Sequence, residues 1–453
     1  MKRILFQRKP DGQTTLSLRP KDLLIVAAVL HVAMTVTIFM VGRKALLPSA
    51  FDTNGIAVSF AEDGVGYRDD AETLAHLLRG GEFLVWFNSS YPFHVKLYSL
   101  CLVVFGSTLG VNIVGAEPLN LFCYLGILIF VFKLGEEILD SHSGVVAAAI
   151  VGLWPSLLLH TTQLLKDPIF ILGMLALIFV LMRLLTDSLS WRKALLIGAA
   201  GGSLVALLWK TRSDLGPVIV AAAMLGAVTL ILRQLQLKRV LPSSLAGMGL
   251  LLALSAGSVL WLPVYRDADN PRHSLRQEAT AIDNGAPRIA GWWQVGEQVG
   301  ILRQRFVTKY PNSSSNIDSS VKLTNTMDLI RFLPRAAAIG LWAPFPKMWF
   351  EPGDSVGTQG RILSGLETLL MYVVEVLALV GLWRGRRKLS VWLLFSIAMM
   401  GTIALGLVVV NVGTLYRLRY VFLIMLIILA AGGISNTVNW LMKRHWPRQK
   451  VGA

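Results

Sequence analysis

Charge is what this chain has least of. Only 15% of its 453 residues are Asp, Glu, Lys or Arg, against 54% hydrophobic, and the mean hydropathy is +0.59. A set of water-soluble domains is excluded by that balance, and an integral membrane protein is implied. Acids are scarcer still, 27 against 43 Lys and Arg, for a formal net charge of +16. Such an excess can signal a nucleic-acid partner, but here the basic residues cluster at the ends of apolar segments. Positive-inside topology explains this better, so no nucleic acid is expected. Cysteine is nearly absent. Cys101 and Cys123 both lie in apolar surroundings, which rules out a disulfide framework. Also missing are a Gly-x-x-x-x-Gly-Lys-[Ser/Thr] phosphate loop and a His-Glu-x-x-His zinc helix. The basic opening (Lys2, Arg3, Arg8, Lys9, Arg19, Lys21) is too long and polar for a cleaved signal peptide, and suits a start-transfer anchor.

What the chain has in quantity is apolar runs near the roughly 20 residues that cross a bilayer as a helix. Ten are expected to span: Leu23–Gly42, Pro118–Leu134, Gly144–His160, Pro168–Leu185, Ala194–Trp209, Leu215–Leu232, Ser244–Pro263, Ile362–Trp383, Ser390–Val410 and Tyr420–Met442. The connections Arg183–Lys193, Arg233–Arg239 and Arg384–Lys388 are basic, which places them and both termini in the cytoplasm. An eleventh run, Val95–Val114, is interrupted by Gly106, Ser107, Thr108, Gly110 and Asn112. It reads as a helix pair in the interface, because a further span would turn Arg384–Lys388 outward. Phe332–Phe345 is too short and proline-marked to span, and suits a surface helix capping the site. The fold class is therefore all-α membrane protein. The expected organisation is a cytoplasmic start (1–22), a transmembrane module (23–263) with its first outer loop at 43–116, and a long extracytoplasmic loop (264–361). C-terminal spans (362–442) and a cytoplasmic tail (443–453) follow.

With that topology the unusual charges gather on the outer side, each at a helix end: Glu62, Asp63, Asp69 and Asp70; Lys166 and Asp167; Lys210, Arg212 and Asp214; Arg417 and Arg419. Ionisable groups at membrane depth are costly and usually face a cavity or a partner. The plain account is local: Lys166 pairs with Asp167, Lys210 with Asp214 one helical turn on, and the arginines reach for headgroups. Any single pair fits that account, but four such groups on one face do not. Carboxylates from two loops and arginines from two others suit transfer from a lipid phosphate. A base takes the acceptor's proton and cations hold the phosphate, a task for which the guanidinium fork is apt.

Asp63-x-x-x-Tyr67-x-x-x-Ala71-x-x-Leu74, after a first span and before Gly80-Gly81, resembles the first external loop of GT-C superfamily membrane glycosyltransferases. The similar families are the dolichyl-phosphate-mannose protein mannosyltransferases and the bacterial lipid A aminoarabinose transferases. Leu153-Trp-Pro-Ser156 through Gln163-Leu-Leu-Lys-Asp-Pro168 is similar to their next outer turn, Arg212 to an arginine often found there, and Tyr416-Arg-Leu-Arg-Tyr420 to their Arg-Tyr element near the carrier phosphate. The likeness covers Leu23 to about Leu232 and Arg417 onward. The order Glu62-Asp63 reverses the mannosyltransferases' Asp-Glu pair, and the loop Tyr265–Arg361 aligns with no counterpart.

The resemblance implies a bacterial inner-membrane glycosyltransferase acting at the extracytoplasmic face. It would use a polyprenyl-phosphate sugar donor and a lipid, glycan or protein acceptor, in cell-envelope or exopolysaccharide synthesis. Asp63 is then the base with Glu62 as its substitute, and Asp167 supports the acceptor or a cation. Tyr67, Arg212, Tyr416, Arg417, Arg419 and Tyr420 bind substrate with help from Lys166 and Lys210. Trp292, Trp293 and Trp342 stack on sugars or anchor at the interface. No cofactor or metal is required, although the clustered acids suit a divalent cation. An O-antigen-type polymerase or ligase with a diphosphate-linked oligosaccharide is the nearest rival. A lipid-linked glycan flippase would instead place ionisable residues in mid-span and on both faces.

Overall fold

The computed structural model describes residues 19–46, 63–186, 188–261, 295–309, 313–353 and 357–445, with 6–8, 14–16 and the single residues 51, 61 and 311. A hairpin of β1 (Phe6–Arg8) and β2 (Thr14–Leu16) and one isolated bridge aside, the regular structure of these residues is helical. The first helix, α1 (Pro20–Arg43), shows why. Pro20 sits in the first turn, where its missing N–H costs nothing, and Asp22 and Arg43 oppose the helix dipole at its two ends. Its buried residues, Ala27, His31, Thr35, Ile38 and Gly42, recur at three and four, while Ile25, Val26, Val29 and Val36 point outward. That is one stripe against protein and the remainder apolar, the pattern of a helix solvated by lipid.

Three shorter helices follow: α2 (Asp63–Arg79), α3 (Phe83–Asn88) and α4 (Phe93–Leu109). The interfacial pair expected over Val95–Val114 is a single helix. It stops at Gly110, whose φ of +84° favours glycine, and Asn112 then caps the next helix by accepting from the Val114 and Gly115 amides. The spanning set continues with α5 (Ile113–Ile138), α6 (Ser141–Gly152), α7 (Pro155–Thr161), α8 (Asp167–Thr186), α9 (Trp191–Thr211), α10 (Gly216–Leu237) and α11 (Pro242–Trp261). After it come α12 (Val295–Lys309), α13 (Thr326–Trp342), α14 (Gly357–Gly385), α15 (Leu389–Val408), α16 (Val412–Leu418) and α17 (Tyr420–His445).

Among the described residues eight helices are long and apolar enough to cross a bilayer, or ten if each of two bent pairs is one span. In one pair the expected straight span Gly144–His160 divides into α6 and α7, bent by 67° where Pro155 cannot continue the backbone ladder. The other pair, α16 and α17, bends by 53°. Both bends lie next to the charged residues singled out above.

The centre of the bundle is α17, whose Val421–Ala431 stretch is buried on every side. Helices of the bundle meet through glycine, as bilayer helices do where no solvent drives them together. A Cβ at Gly198 of α9 would stand 2.1 Å from the Gly247 carbonyl oxygen of α11, and one at Gly381 of α14 would stand 1.9 Å from that of Leu429. One end of the bundle is covered by α12, α13 and the chain between them. That chain is tied to the start of α16: Ile317 N–H donates to the Val410 carbonyl at 2.9 Å, and Val412 N–H to Ser315 at 3.0 Å. As expected of Phe332–Phe345, α13 is short of a span and contains Pro334.

Candidate active site

At that covered end lies a pocket of about 240 Å³. Its walls come from the start of α2, the turn before α8, the turn between α9 and α10, one face of α12, and α16. Asp63, Tyr67, Lys166, Lys210, Arg212 and Arg417 all line it. These six were expected from four separate stretches of chain.

The charged groups form one network. Arg417 Nη2 donates to Asp63 Oδ2 at 2.8 Å, and Arg417 Nε stands 3.4 Å from Asp167 Oδ2. Arg212 Nη2 lies 3.1 Å from Asp167 Oδ1, and the Arg212 guanidinium stacks 5.6 Å from the Phe170 ring. Asp167 and Arg212 are thus deep, with side chains 5% and 2% exposed, whereas Asp63 is 37% exposed and faces the opening. Local structure explains the depth. Asp167 opens α8 beside the kinked α7, and Arg212 follows the last residue of α9, at φ −153°, ahead of the short turn Ser213–Leu215. Neither local pair of the plain account carries the arrangement: Asp167 turns to Arg212 and Arg417, and Lys210 and Asp214 sit on either side of the break after α9.

Burial alone would raise the Asp63 carboxyl. The charge and hydrogen bond of Arg417, with Lys309 and Lys166 beyond, outweigh it and bring the group down to about 2. Asp63 is therefore ionised at any physiological pH. Arg417 occupies the position between Asp63 and Asp167 that a bridging cation would take, and among the described residues no three His, Cys, Asp or Glu side chains converge on a common point.

Other expected residues lie elsewhere. Arg419, at the bend between α16 and α17, is 3% exposed and donates to the Ala343 carbonyl at the end of α13, with its guanidinium 4.5 Å from the Tyr416 ring. Tyr420 places its hydroxyl 3.0 Å from His160 Nδ1, and Tyr416 packs edge-on against Tyr420 at 6.1 Å. Those three make a buried cluster with Ser156 and Glu367 apart from the pocket walls, Ser156 donating to Glu367. Trp342 donates to Glu375 at 3.1 Å. Glu62, Trp292 and Trp293 lie outside the described residues. The rest of the acidic run turns away: Asp69 takes the Arg68 guanidinium, and Asp70 is buried.

Two basic residues of the pocket, and a buried histidine packed on Tyr67, were not anticipated. Arg305 and Lys309 reach the pocket from α12, out of a long polar stretch in which a basic residue carries no signal. His94 is 2% exposed, sits edge-on to Tyr67 at 4.4 Å, and neither ring nitrogen has a hydrogen-bond partner. Burial, then Lys166 and Arg212, hold its imidazole well below 6.5, so it is neutral. The only trace of it in the sequence is its place directly after the aromatic stretch Trp86–Phe93.

An all-α bundle of about ten spans with a charged pocket at one end defines a class, that of multi-pass membrane proteins. No protein-family model matches the chain, and no curated protein sequence does. Among solved structures it is similar to the oligosaccharyltransferase AglB of Archaeoglobus fulgidus in complex with an inhibitory peptide and a dolichol-phosphate. The TM-score is 0.50 at 13% identity, over 96% of this chain and 52% of that one. The apo form of the oligosaccharyltransferase of that organism gives 0.47 at 12% identity, over 96% and 53%. The chain spans about half the length of the structures it matches. At that identity the likeness to AglB is one of fold.

Proposed function

We propose that this protein is a membrane glycosyltransferase that moves a sugar from a polyprenyl-phosphate carrier to a lipid, glycan or protein acceptor at the extracytoplasmic face of a bacterial inner membrane. Cell-envelope or exopolysaccharide synthesis is the setting that suits it. One observation carries the reading: Arg417 joins Asp63 at the mouth of the pocket to Asp167 at its floor, with Arg212 behind. The likeness in fold to a protein solved with dolichol-phosphate agrees with a lipid-linked phosphate as donor.

In this mechanism the acceptor hydroxyl oxygen attacks the sugar C1, the C1–O bond to phosphate breaks, and the electron pair leaves on the phosphate oxygen. Asp63 takes the hydroxyl proton, and Arg417 and Arg212 hold the departing phosphate. A carboxylate at a pKa of about 2 is a weak base, and the geometry supplies a remedy. An arriving phosphate competes for Arg417, so binding the donor loosens the hydrogen bond that keeps Asp63 acidic. Base strength then rises only when the donor is in place. Arg417 already bridges the carboxylates, so the reaction is written without a metal, and the assay below repeated in EDTA tests that.

The decisive assay is transfer of labelled sugar from purified polyprenyl-monophosphate sugars by the protein in liposomes. Replacing Asp63 by Asn should cut turnover by about 100-fold or more, as loss of a general base does, with insertion and thermal stability retained. Near-normal turnover in that variant, or turnover from diphosphate-linked oligosaccharides alone, would sink the reading.

A further inference from the structure

We infer that Tyr98 of α4 and Asn120 of α5, neither of which lines the pocket, are positioning residues of the site: they hold the turn that carries Lys166 and Asp167. The inference rests on the reading of the pocket as a glycosyl-transfer site, and it adds two side chains that act through others.

Residues 162–166 belong to no helix. They join α7, which ends at Thr161, to α8, which begins at Asp167, and all of them but Lys166 are buried. Carbonyls of buried, irregular backbone need partners, and a turn this short can supply few of its own. Within it the Leu165 N–H donates to the Gln163 carbonyl at 2.8 Å. Side chains of two other helices add to that bond. Asn120 Nδ2 donates to the Gln163 carbonyl at 3.2 Å, and the Tyr98 hydroxyl lies 3.0 Å from the Leu165 carbonyl and 2.8 Å from Asn120 Oδ1. One hydroxyl hydrogen serves both acceptors, so Tyr98 and Asn120 act as a unit. Neither residue is exposed at all, and the Tyr98 ring packs in the same apolar cluster as Leu164 and Leu165. The turn is thus held by its side chains and by its carbonyls at once.

What the turn carries is the part of the network that spans elements. The Asp167 carboxylate meets Arg212 at 3.1 Å and Arg417 at 3.4 Å, and those arginines come from the end of α9 and from α16. A shift of the turn alters both contacts together and turns both guanidinium groups away from the phosphate they are assigned. The phosphate gains its second charge only as the C1–O bond breaks, so misaligned arginines weaken the transition state more than the bound donor. Tyr124, one turn after Asn120 on α5, supplies the control. It too is fully buried and donates to a backbone carbonyl, at 2.6 Å, but that carbonyl belongs to Gly152 at the end of α6.

The test compares Tyr98→Phe, Asn120→Leu and Tyr124→Phe in the full-length protein, by hydrogen exchange and thermal midpoint in nanodiscs and by sugar transfer from a polyprenyl-monophosphate donor in liposomes. Tyr98→Phe and Tyr124→Phe each lose one buried hydroxyl, so their midpoints should fall alike. Exchange across residues 162–166 should quicken in Tyr98→Phe and Asn120→Leu and keep the wild-type rate in Tyr124→Phe. In the first two kcat should fall by about tenfold with the donor KM within about twofold, and in Tyr124→Phe both should hold. Over an Asp167→Asn background Tyr98→Phe should cost less than about twofold more, as an effect routed through Asp167 requires. Unchanged exchange in Tyr98→Phe, an equal kcat loss in Tyr124→Phe, or the full loss retained over Asp167→Asn would overturn the inference. If wild type transfers nothing, the glycosyl-transfer reading fails on its own, and the exchange comparison still decides whether Tyr98 and Asn120 hold the turn.

Discussion

At the scale of the residue, the proposed chemistry turns on Arg417. Its side chain reaches both carboxylates, and its pairing with Asp63, aided by Lys309 and Lys166, outweighs a burial that would otherwise raise that acid above the usual 3.8. The sign of the consequence is fixed. A carboxylate depressed to about 2 contributes stability above pH 3.8 that is lost as pH falls toward 2, and it adds no acid limb to the kcat/KM profile of the free enzyme near neutrality. Arg417→Gln removes the largest lowering cause and leaves burial opposed by Lys309 and Lys166, so the acid limb should climb while kcat/KM drops by about 100-fold, the usual cost of a lost charge-stabilising donor. Residual kcat/KM measured from pH 4 to 8 decides it, and superimposable normalised profiles for wild type and variant would reject the role given to Arg417. These residues were legible in the sequence because each is a charge abutting an apolar run, where a random charge is expensive. His94 was not, since a single histidine among aromatics has the composition of ordinary core.

At the scale of the element, the site depends on two broken helices and one clamped loop helix. The bends at Pro155 and at Arg419 bring the ends of α7 and α16 across the pocket, so that Asp167 and Arg417 meet. An apolar run with one proline looks like a single straight span because averaging hydropathy over it erases a bend. The 67° turn was therefore hidden although Trp154-Pro155 was in plain sight. The clamp on α12 was invisible for another reason: Arg303, Arg305 and Lys309 are alike in sequence, and only packing against Leu323–Asn325 separates anchor from pocket wall. Arg303→Ala should release that clamp. Its two charge-assisted hydrogen bonds, to the carbonyls of Leu407 and Asp318, are together worth about 3 kcal/mol or more, a loss confined to the loop. Hydrogen exchange should quicken across residues 295–309 with the exchange of α8 and α17 unaltered. Slow exchange in α12 of the variant would show that the close contacts of Gly296 and Gly300 alone hold it.

At the scale of the whole molecule, one rule organises the chain: basic connections at one end, the reactive network at the other. Arg384–Lys388 closes the turn between α14 and α15, whereas Asp63, Lys210, Lys309 and Arg417 converge at the opposite end of the same helices. The same rule made ten spans countable from hydropathy and charge, because a bilayer constrains length and sign more tightly than water does. It also predicts orientation. In a background lacking Cys101 and Cys123, Lys322→Cys and Arg387→Cys place single exposed thiols at the two ends. A membrane-impermeant maleimide should label Lys322→Cys in spheroplasts and reach Arg387→Cys only after permeabilisation. The reverse pattern would put the pocket in the cytoplasm and remove the ground for a transfer at the outer face. With the expected pattern, donor sugar must already stand on the outer leaflet when it meets Asp63. Under the proposed function, the reaction that supplies this protein would then end in translocation of a lipid-linked sugar.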